Sequence, residues 1–256
     1  MEVIKINNLS KQFAKHVVLR NVSLSVNAGE LIGYIGPNGA GKSTTIKILC
    51  GLMPDFTGTV QVLGMDVTHN TIDIKKRIGY IPENAVLYEV LTPVEYLHFV
   101  AQLYHLRGPS IHQKIIDLLA LFGLDHARNS RMSTFSKGMK QKVLLISGLL
   151  HNPDIIFLDE PLSGLDANAV ILVKEILMQL KQSGKTIFYS SHIMDVVEKL
   201  SDRIIIINQG QLIADGTFQQ LVSQSHSNSL EQIFTQLTGQ VEQASIATTF
   251  IDVLKS

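Results

Sequence analysis

The sequence predicts an α/β fold in which helices cover both faces of a parallel sheet. Short apolar runs of buried-strand length alternate with segments of helical periodicity along most of the chain. Buried strands separated by helices indicate parallel pairing. The middle of the chain differs, because residues 92–150 show helical periodicity and almost no strand signal. We therefore expect an inserted helical subdomain, about residues 83–150, to interrupt the α/β pattern.

The individual elements are predicted from apolar runs for the strands and from apolar residues at three- and four-residue spacing for the helices. The strands are expected at residues 17–26, 31–35, 154–158, 186–189 and 203–207. The helices outside the middle block are expected at residues 42–52, 167–181 and 192–200.

Helix-start signals support the middle block. Thr92 is a suitable N-cap, Pro93 follows at the first helical position, and Glu95 stands three residues after the threonine. Pro109 starts a second helix. These signals predict where two of the helices of the inserted block begin.

The chain after residue 222 has a different character. Residues 223–228 are polar, and residues 230–237 form a short amphipathic stretch. We therefore divide the chain into one domain, residues 1–222, and a C-terminal helical tail, residues 223–256.

Length, charge and cysteine content narrow the function classes. A chain of 256 residues buries a core without disulfides or a structural metal. Lys plus Arg and Asp plus Glu number 22 each, so the formal net charge is zero, which argues against a nucleic-acid binder that works by bulk charge. The single Cys50 excludes an intrachain disulfide and a multi-cysteine zinc site. We expect no secretory signal peptide and no membrane-spanning helix, which needs about 18 apolar residues.

The glycine-rich turn after the strand at 31–35 carries the strongest chemical signal. Residues 36–43, GPNGAGKS, match G-x-x-x-x-G-K-[ST] in full between a strand and a helix. Glycines allow successive backbone N–H groups to turn inward, and the helix adds the positive end of its dipole. The Lys42 ammonium would form ionic contacts with the β- and γ-phosphates, and the Ser43 hydroxyl would ligate Mg²⁺. The predicted ATP-binding residues are Gly36, Pro37, Asn38, Gly39, Ala40, Gly41, Lys42, Ser43 and Thr44.

Two acids end the strand predicted at 154–158. Ligands of open parallel sheets bind at the carboxyl ends of the strands. Asp159 is therefore expected to hold Mg²⁺, and Glu160 to orient or deprotonate the attacking water. A solvated turn at a strand end is the alternative, but the pair complements the phosphate-binding turn chemically.

Residues 134–141, TFSKGMKQ, form a further candidate site before a helix that runs to Leu150. Ser136 suits the N-cap, and Gly138 permits close approach of another backbone. The helix start would offer N–H groups to an anion. Spacing alone favours the alternative of a simple capped helix.

These segments, followed by residues 163–166 (SGLD) and by His192, stand in an order that closely resembles the nucleotide-binding subunit of ATP-binding cassette (ABC) transporters. The resemblance covers about residues 2–240. Residues 136–139, SKGM, look like a variant of the family signature Leu-Ser-Gly-Gly-Gln, in the form common among exporter-type, ABC-2-like subunits. The stretch 229–237 also resembles the end of such subunits.

The resemblance implies a P-loop NTPase (RecA-like) core with a parallel sheet, an N-terminal antiparallel β region and an inserted α-helical subdomain. It implies that Phe13 stacks on adenine, although a buried core phenylalanine is the alternative at this position. His192 would contact the γ-phosphate and act with Glu160 in catalysis. Asp166 matches the loop that crosses to the partner subunit.

Three positions, Glu83, Lys137 and Met139, depart from the family pattern. Glu83 falls where most members carry a glutamine that contacts Mg²⁺ and couples the helical subdomain to the transporter; a carboxylate can still ligate Mg²⁺. In the signature, Ser136, Lys137, Gly138 and Met139 would contact the ATP of the partner subunit, and only Ser136 and Gly138 match the family residues. The implied metal ligands are therefore Ser43, Asp159 and Glu83.

The resemblance also implies the partners. ATP and Mg²⁺ would lie between two ATP-binding subunits facing head to tail, as a homodimer or a heterodimer, and hydrolysis would power export through separate transmembrane permease subunits. The protein would sit in the cytoplasm, peripherally on the cytoplasmic face of the membrane, with no nucleic-acid partner.

Other function classes fit the sequence less well. A soluble cassette ATPase acting on ribosomes or DNA usually carries two cassettes or a long coiled-coil insertion, and residues 92–150 are too short for such a coil. A GTPase would carry Asn-Lys-x-Asp, which the sequence lacks, and a small-molecule kinase would need an acceptor pocket that no residue set indicates. A purely structural module would not need Lys42, Asp159 and Glu160 together.

Overall fold

The computed structural model describes residues 1–84, 87–225, 227–239 and 250–254. Its strands, in chain order, are β1 (Glu2–Phe13), β2 (His16–Asn27), β3 (Leu31–Ile35), β4 (Thr57–Val62), β5 (Met65–Asp66), β6 (Ile78–Ile81), β7 (Ile155–Asp159), β8 (Thr186–Ser190), β9 (Arg203–Asn208) and β10 (Gln211–Gly216). The main helices are α1 (Lys42–Leu49), α2 (Thr71–Arg77), α3 (Pro93–Leu103), α4 (Pro109–Leu121), α5 (Lys137–Leu149), α6 (Ala167–Gln182), α7 (Met194–Leu200), α8 (Phe218–Ser225) and α9 (Leu230–Thr238).

A six-stranded sheet with the order β10-β9-β3-β8-β7-β6 forms the centre of the molecule. Neighbouring strands from β9 to β6 are parallel, and only the edge strand β10 pairs antiparallel. All residues of β3, β7 and β8 are buried, as expected for strands covered on both faces. The predicted parallel sheet is therefore confirmed.

A second sheet, β2-β1-β4-β5, is antiparallel and confirms the expected N-terminal β region. Its buried face shares one hydrophobic cluster with α1 and with the residues of β3 that point to that side, Ile32 and Tyr34. The other face of the central sheet, with Leu31 and Ile35, packs in a second cluster with the inserted helices and the C-terminal helices. Because side chains alternate along β3, this one strand contributes to both hydrophobic clusters, one on each face of the central sheet.

The inserted block lies between β6 and β7 and contains α3, α4, α5 and two 3₁₀ turns. The capping box predicted for α3 is confirmed, since the Thr92 side chain accepts from the Glu95 N–H at 3.2 Å and Glu95 accepts from the Thr92 N–H at 2.8 Å. Pro109 occupies the first turn of α4, as expected. In the described part of 92–150 the chain forms no strand.

Two predicted helix boundaries were wrong. Helix α1 ends at Leu49 instead of residue 52, because Gly51 takes a positive φ of 63° and turns the chain. Helix α7 begins at Met194, and His192 lies at a bend in the short connection before it. The polar stretch 223–228 begins within the last turn of α8.

The helices after residue 217 pack on the domain. Leu230, Ile233 and Phe234 of α9 are buried in the core cluster that also contains α7. The Leu230 N–H donates to Glu198 Oε2 of α7 at 3.1 Å. Residues 226, 240–249 and 255–256 of the predicted C-terminal tail lie outside the described residues. No helix in the described ranges is both long enough and apolar enough to cross a membrane.

Candidate functional site

The carboxyl ends of three neighbouring strands meet at one edge of the central sheet. β8 lies between β3 and β7, and its last residue, Ser190, stands in register with Tyr34 on one side and with Asp159 on the other. The turn at 36–41 continues from β3, and Glu160 continues from β7. Strand order alone therefore brings the glycine-rich turn and the acidic pair to the same edge.

The glycine-rich turn is pressed against its neighbours at two positions. A Cβ on Gly36 would lie 2.3 Å from the Ile207 carbonyl oxygen of β9. Gly41 has a φ of 110°, and a Cβ there would lie 2.6 Å from the Leu19 side chain. Only glycine fits both positions, so the turn can hold its backbone N–H groups toward the start of α1.

Lys42 is buried at the start of α1, inside this turn. Its Nζ donates to the carbonyl oxygens of Gly36 at 2.7 Å and of Pro37 at 3.2 Å. Burial lowers the pKa of Lys42, and the negative charges of Glu160 and Asp159 oppose that shift. The turn thus holds a cation close to two carboxylates, which is a suitable charge arrangement for a metal–polyphosphate complex.

Asp159 is buried at the end of β7 and is held by one neutral donor. The Ser190 hydroxyl donates to Asp159 Oδ1 at 2.6 Å, which leaves the other carboxylate oxygen available as a ligand. Ser43 follows Lys42 in the first turn of α1 and is half-buried. A hydroxyl and a carboxylate are the hard oxygen ligands that Mg²⁺ prefers, so the donor set fits that ion.

Glu160 holds a conformation that few residues other than glycine adopt, with a φ of 51°. Its N–H donates to the Ser190 carbonyl oxygen at 3.1 Å, which anchors the turn. The side chain is only 12% exposed, and its Oε2 lies 2.8 Å from His192 Nδ1. Burial raises the pKa of Glu160, while His192 and then Lys42 lower it. A carboxylate with a raised pKa is a better proton acceptor than a solvated one.

The segment 136–139 lies beside the loop 163–166 of the same chain. Ser136 caps α5 and accepts from the Met139 N–H at 3.2 Å, so the predicted N-cap is confirmed. A Cβ on Gly138 would lie 2.7 Å from the Gly164 carbonyl oxygen. Asp166 caps α6 through the Ala169 N–H at 2.9 Å, and this bond lowers the pKa of Asp166. The two predicted partner-facing segments therefore form one surface.

Two other predicted residues, Phe13 and Glu83, come from other elements of the chain. Phe13 stands at the end of β1 and is 43% exposed, so the alternative of a buried core phenylalanine was wrong. The Lys11 ammonium lies 4.9 Å from the centre of the Phe13 ring. Glu83 follows β6 and is exposed, and its charge also acts on Lys42.

Sequence reasoning missed two residues that organise the site. Ser190 was not predicted, although its place directly after a predicted buried strand is a signal for a polar site residue. Gln141 is buried in α5 and donates from Nε2 to the Pro161 carbonyl oxygen at 3.1 Å, which ties α5 to the loop after Glu160. No local pattern marks Gln141, because its partner lies 20 residues away.

Comparison with known proteins places this site in a family. The family model described as "ABC transporter" matches residues 19–163, more than half of the chain. The chain belongs to the ABC transporter family. The prediction of an ABC ATP-binding subunit is thereby confirmed.

Curated relatives and a solved structure agree with this assignment. An uncharacterized ABC transporter ATP-binding protein of Nostoc sp. is 42% identical over 83% of this chain and 64% of its own length, so the chain spans just under two thirds of that relative. The linearmycin resistance ATP-binding protein LnrL of Bacillus subtilis is 36% identical over 90% of this chain and 74% of its own length. A solved ATP-binding subunit of an ABC transporter superposes with a TM-score of 0.86 at 34% identity, covering 92% of this chain and 99% of that one.

Proposed function

We propose that this ABC ATPase binds Mg-ATP at the edge of the central sheet and powers export through separate transmembrane permease subunits. The observation that carries the proposal is the convergence of Lys42, Asp159 and Glu160 at one edge of the central sheet, after β3 and β7 on either side of β8. The ABC-2-like form of residues 136–139 supports the exporter class. A relative whose name refers to resistance to a compound is consistent with export.

The turn would hold the triphosphate, and a ring of oxygen donors would hold the metal. Backbone N–H groups of residues 36–44 and the Lys42 ammonium would bind the β- and γ-phosphates. Ser43 and Asp159 would ligate Mg²⁺, with Glu83 as a further carboxylate ligand. When bound, Mg²⁺ would neutralise charge that develops on the phosphate oxygens. The exposed face of Phe13 would stack on the adenine.

Glu160 would position and deprotonate the attacking water. Its backbone is fixed by the Ser190 carbonyl oxygen, and its Oε2 is fixed by His192 Nδ1 at 2.8 Å. With Nδ1 engaged, the other ring nitrogen of the 72% exposed His192 remains available to a γ-phosphate. The protein would thus supply orientation and a proton acceptor, while Lys42 and the metal supply positive charge.

The second half of the site would come from another ATP-binding subunit. Ser136 and Gly138 at the start of α5, with Lys137 and Met139, would face the γ-phosphate held by the partner, and Asp166 would contact the partner across the interface. Homodimers and heterodimers satisfy this arrangement equally. The inserted block would pass the closing motion through the Glu83 region to permeases, so the subunit would act at the cytoplasmic face of the membrane.

Affinity capture of the tagged chain from detergent-solubilised cells of its source organism tests the proposal. We expect a membrane protein with several spanning segments to co-purify, and the purified chain to bind a fluorescent ATP analogue only with Mg²⁺ present. Capture of ribosomes or DNA instead would favour the soluble-ATPase alternative. Failure to bind the nucleotide would refute the assignment of the turn.

A further inference from the structure

Two of the three departures from the family pattern, Glu83 and Lys137, lie on the same cleft. The cleft, about 100 Å³ in volume, separates the segment after β6 from the start of α5. Glu83 lines one part of it, and Lys137 and Lys140 line another, together with Gln141 and Leu144. An acid that replaces the usual glutamine therefore shares a cleft with a base that replaces the usual glycine.

The other lysines near the start of α5 already have carboxylate partners. Lys140 Nζ lies 2.6 Å from Glu89 Oε1, and Lys142 Nζ lies 3.5 Å from Asp166 Oδ2. Within the described residues, the Lys137 ammonium has only a neutral partner, the Ser163 hydroxyl at 3.1 Å. A positive charge at a helix N-terminus is unfavourable with respect to the helix dipole. Of the lysines near the start of α5, Lys137 would therefore gain most from a nearby carboxylate.

Glu83 is the complementary group. Among the described residues its carboxylate forms no hydrogen bond and no ion pair. Its negative charge also reaches the phosphate-binding turn, where burial lowers the pKa of Lys42 and the charges of Glu160, Asp159 and, least of the three, Glu83 oppose that shift. Glu83 is thus placed to act on a cation in the turn on one side and on Lys137 on the other.

The position of Lys137 is held by its own chain. Its aliphatic stem crosses Gly164 so closely that a Cβ on that glycine would lie 3.0 Å from the Lys137 Cδ. The stem therefore restricts the ammonium to the neighbourhood of Ser163 and the cleft. A glycine at 137 would have neither the stem nor the charge.

We propose that Glu83 and Lys137 form a coupled charge pair whose carboxylate is shared between the metal of the phosphate-binding turn and the Lys137 ammonium. Without the metal, Glu83 attracts Lys137 across the cleft. With the metal bound, the carboxylate is drawn toward the turn, and Lys137 becomes available to the phosphate held by the partner subunit. This inference rests on the proposed function, because Lys137 meets that phosphate only in a head-to-tail pair.

A double-mutant cycle on metal-dependent nucleotide binding tests the pair. The Mg²⁺ concentration for half-maximal binding of a fluorescent ATP analogue is measured for the wild type, Glu83→Gln, Lys137→Met and the double variant at a protein concentration that keeps them monomeric. Methionine keeps the stem on Gly164 and removes the charge. We expect Lys137→Met to lower the Mg²⁺ requirement about two- to fivefold, the range for an accessible ion pair, and to have no effect in the Glu83→Gln background.

Lys142→Met is the matched control, because Lys142 lies on the same helix but outside the cleft, and we expect it to leave the Mg²⁺ requirement unchanged. An equal effect of Lys137→Met in both backgrounds, or none in the wild type, would overturn the charge pair. The proposed function fails differently: in that case the wild type itself shows no Mg²⁺-dependent binding, and Lys42→Ala changes nothing.

Discussion

His192 Nδ1 lies 2.8 Å from Glu160 Oε2, although the histidine side chain is 72% exposed and the glutamate side chain only 12%. The contact joins a residue fixed at the end of β7 to one in the connection before α7. A buried acid is thus in contact with a group that is open to solvent and to any ligand bound at the sheet edge. The first two predictions follow from this pair.

Glu160→Gln should keep ATP binding and slow hydrolysis by about 10²–10⁴-fold, because the amide retains the shape of the side chain but cannot accept the proton. The variant should also accumulate as an ATP-bound dimer. ATPase assays and size-exclusion chromatography with Mg-ATP measure the two effects. Near-normal turnover would remove Glu160 from the role of base.

His192→Ala should move the acidic limb of the ATPase pH profile to higher pH. The base acts in its deprotonated form, so the rate falls as the pH drops through the pKa of Glu160. Burial already raises that pKa and His192 lowers it, so loss of the histidine should raise it further. Plots of kcat/KM against pH for both proteins measure the shift, and a limb that stays in place or moves to lower pH would contradict it.

Lys42→Ala should weaken nucleotide binding by about 100-fold, the upper range for losing hydrogen bonds to a charged group. Lys47→Ala is the control, since Lys47 lies on the exposed side of the same helix. Isothermal titration with Mg-ATP measures both. Equal affinities for the two variants would show that the turn does not bind the triphosphate.

Ser190→Ala should raise the Mg²⁺ requirement for ATP binding about tenfold, because the hydroxyl that orients Asp159 at 2.6 Å is lost. Ser183→Ala, at an exposed serine whose hydroxyl donates to the Leu180 carbonyl oxygen, is the control and should have no effect. Titration of Mg²⁺ at fixed nucleotide concentration gives the comparison. An unchanged requirement in Ser190→Ala would mean that Asp159 needs no such support.

Ile233→Ala should lower the free energy of unfolding by about 2–5 kcal/mol, because Ile233 of α9 is fully buried in the core cluster that contains α7. Leu237→Ala, on the same helix but 39% exposed, should cost less than about 1 kcal/mol. Urea unfolding followed by circular dichroism measures both. If both variants lowered the free energy of unfolding by a similar small amount, the C-terminal helices would contribute little to the stability of the core.

The sequence predicted the parts of the fold that are specified locally. The cap at Thr92, the N-cap at Ser136 and the turn at 36–43 each depend on residues within a few positions of one another. β1 escaped prediction because its alternation is broken: Asn8 takes a φ of 51°, and the pairing with β2 shifts register between Ile6 and Leu9.

Contacts that join distant segments could not be read from the sequence. The motif at 159–160 predicted an acidic pair, but the supporting hydroxyl of Ser190 comes from a strand 31 residues later. The departures at Glu83 and Lys137 were visible separately, and only the folded chain places them on one cleft. Motifs therefore identified the reacting groups, whereas their supports follow from strand order and packing.

The placement of β8 between β3 and β7 has a consequence for how such a protein can diversify. Strands in a sheet lie about 4.8 Å apart, so one intervening strand sets a gap of roughly 10 Å between the turn and the acids. That gap does not depend on the length of any loop. Whole helical segments can therefore be inserted between β6 and β7, as the helices are here. The spacing between the phosphate-binding turn and the acidic pair stays the same while the inserted surface changes.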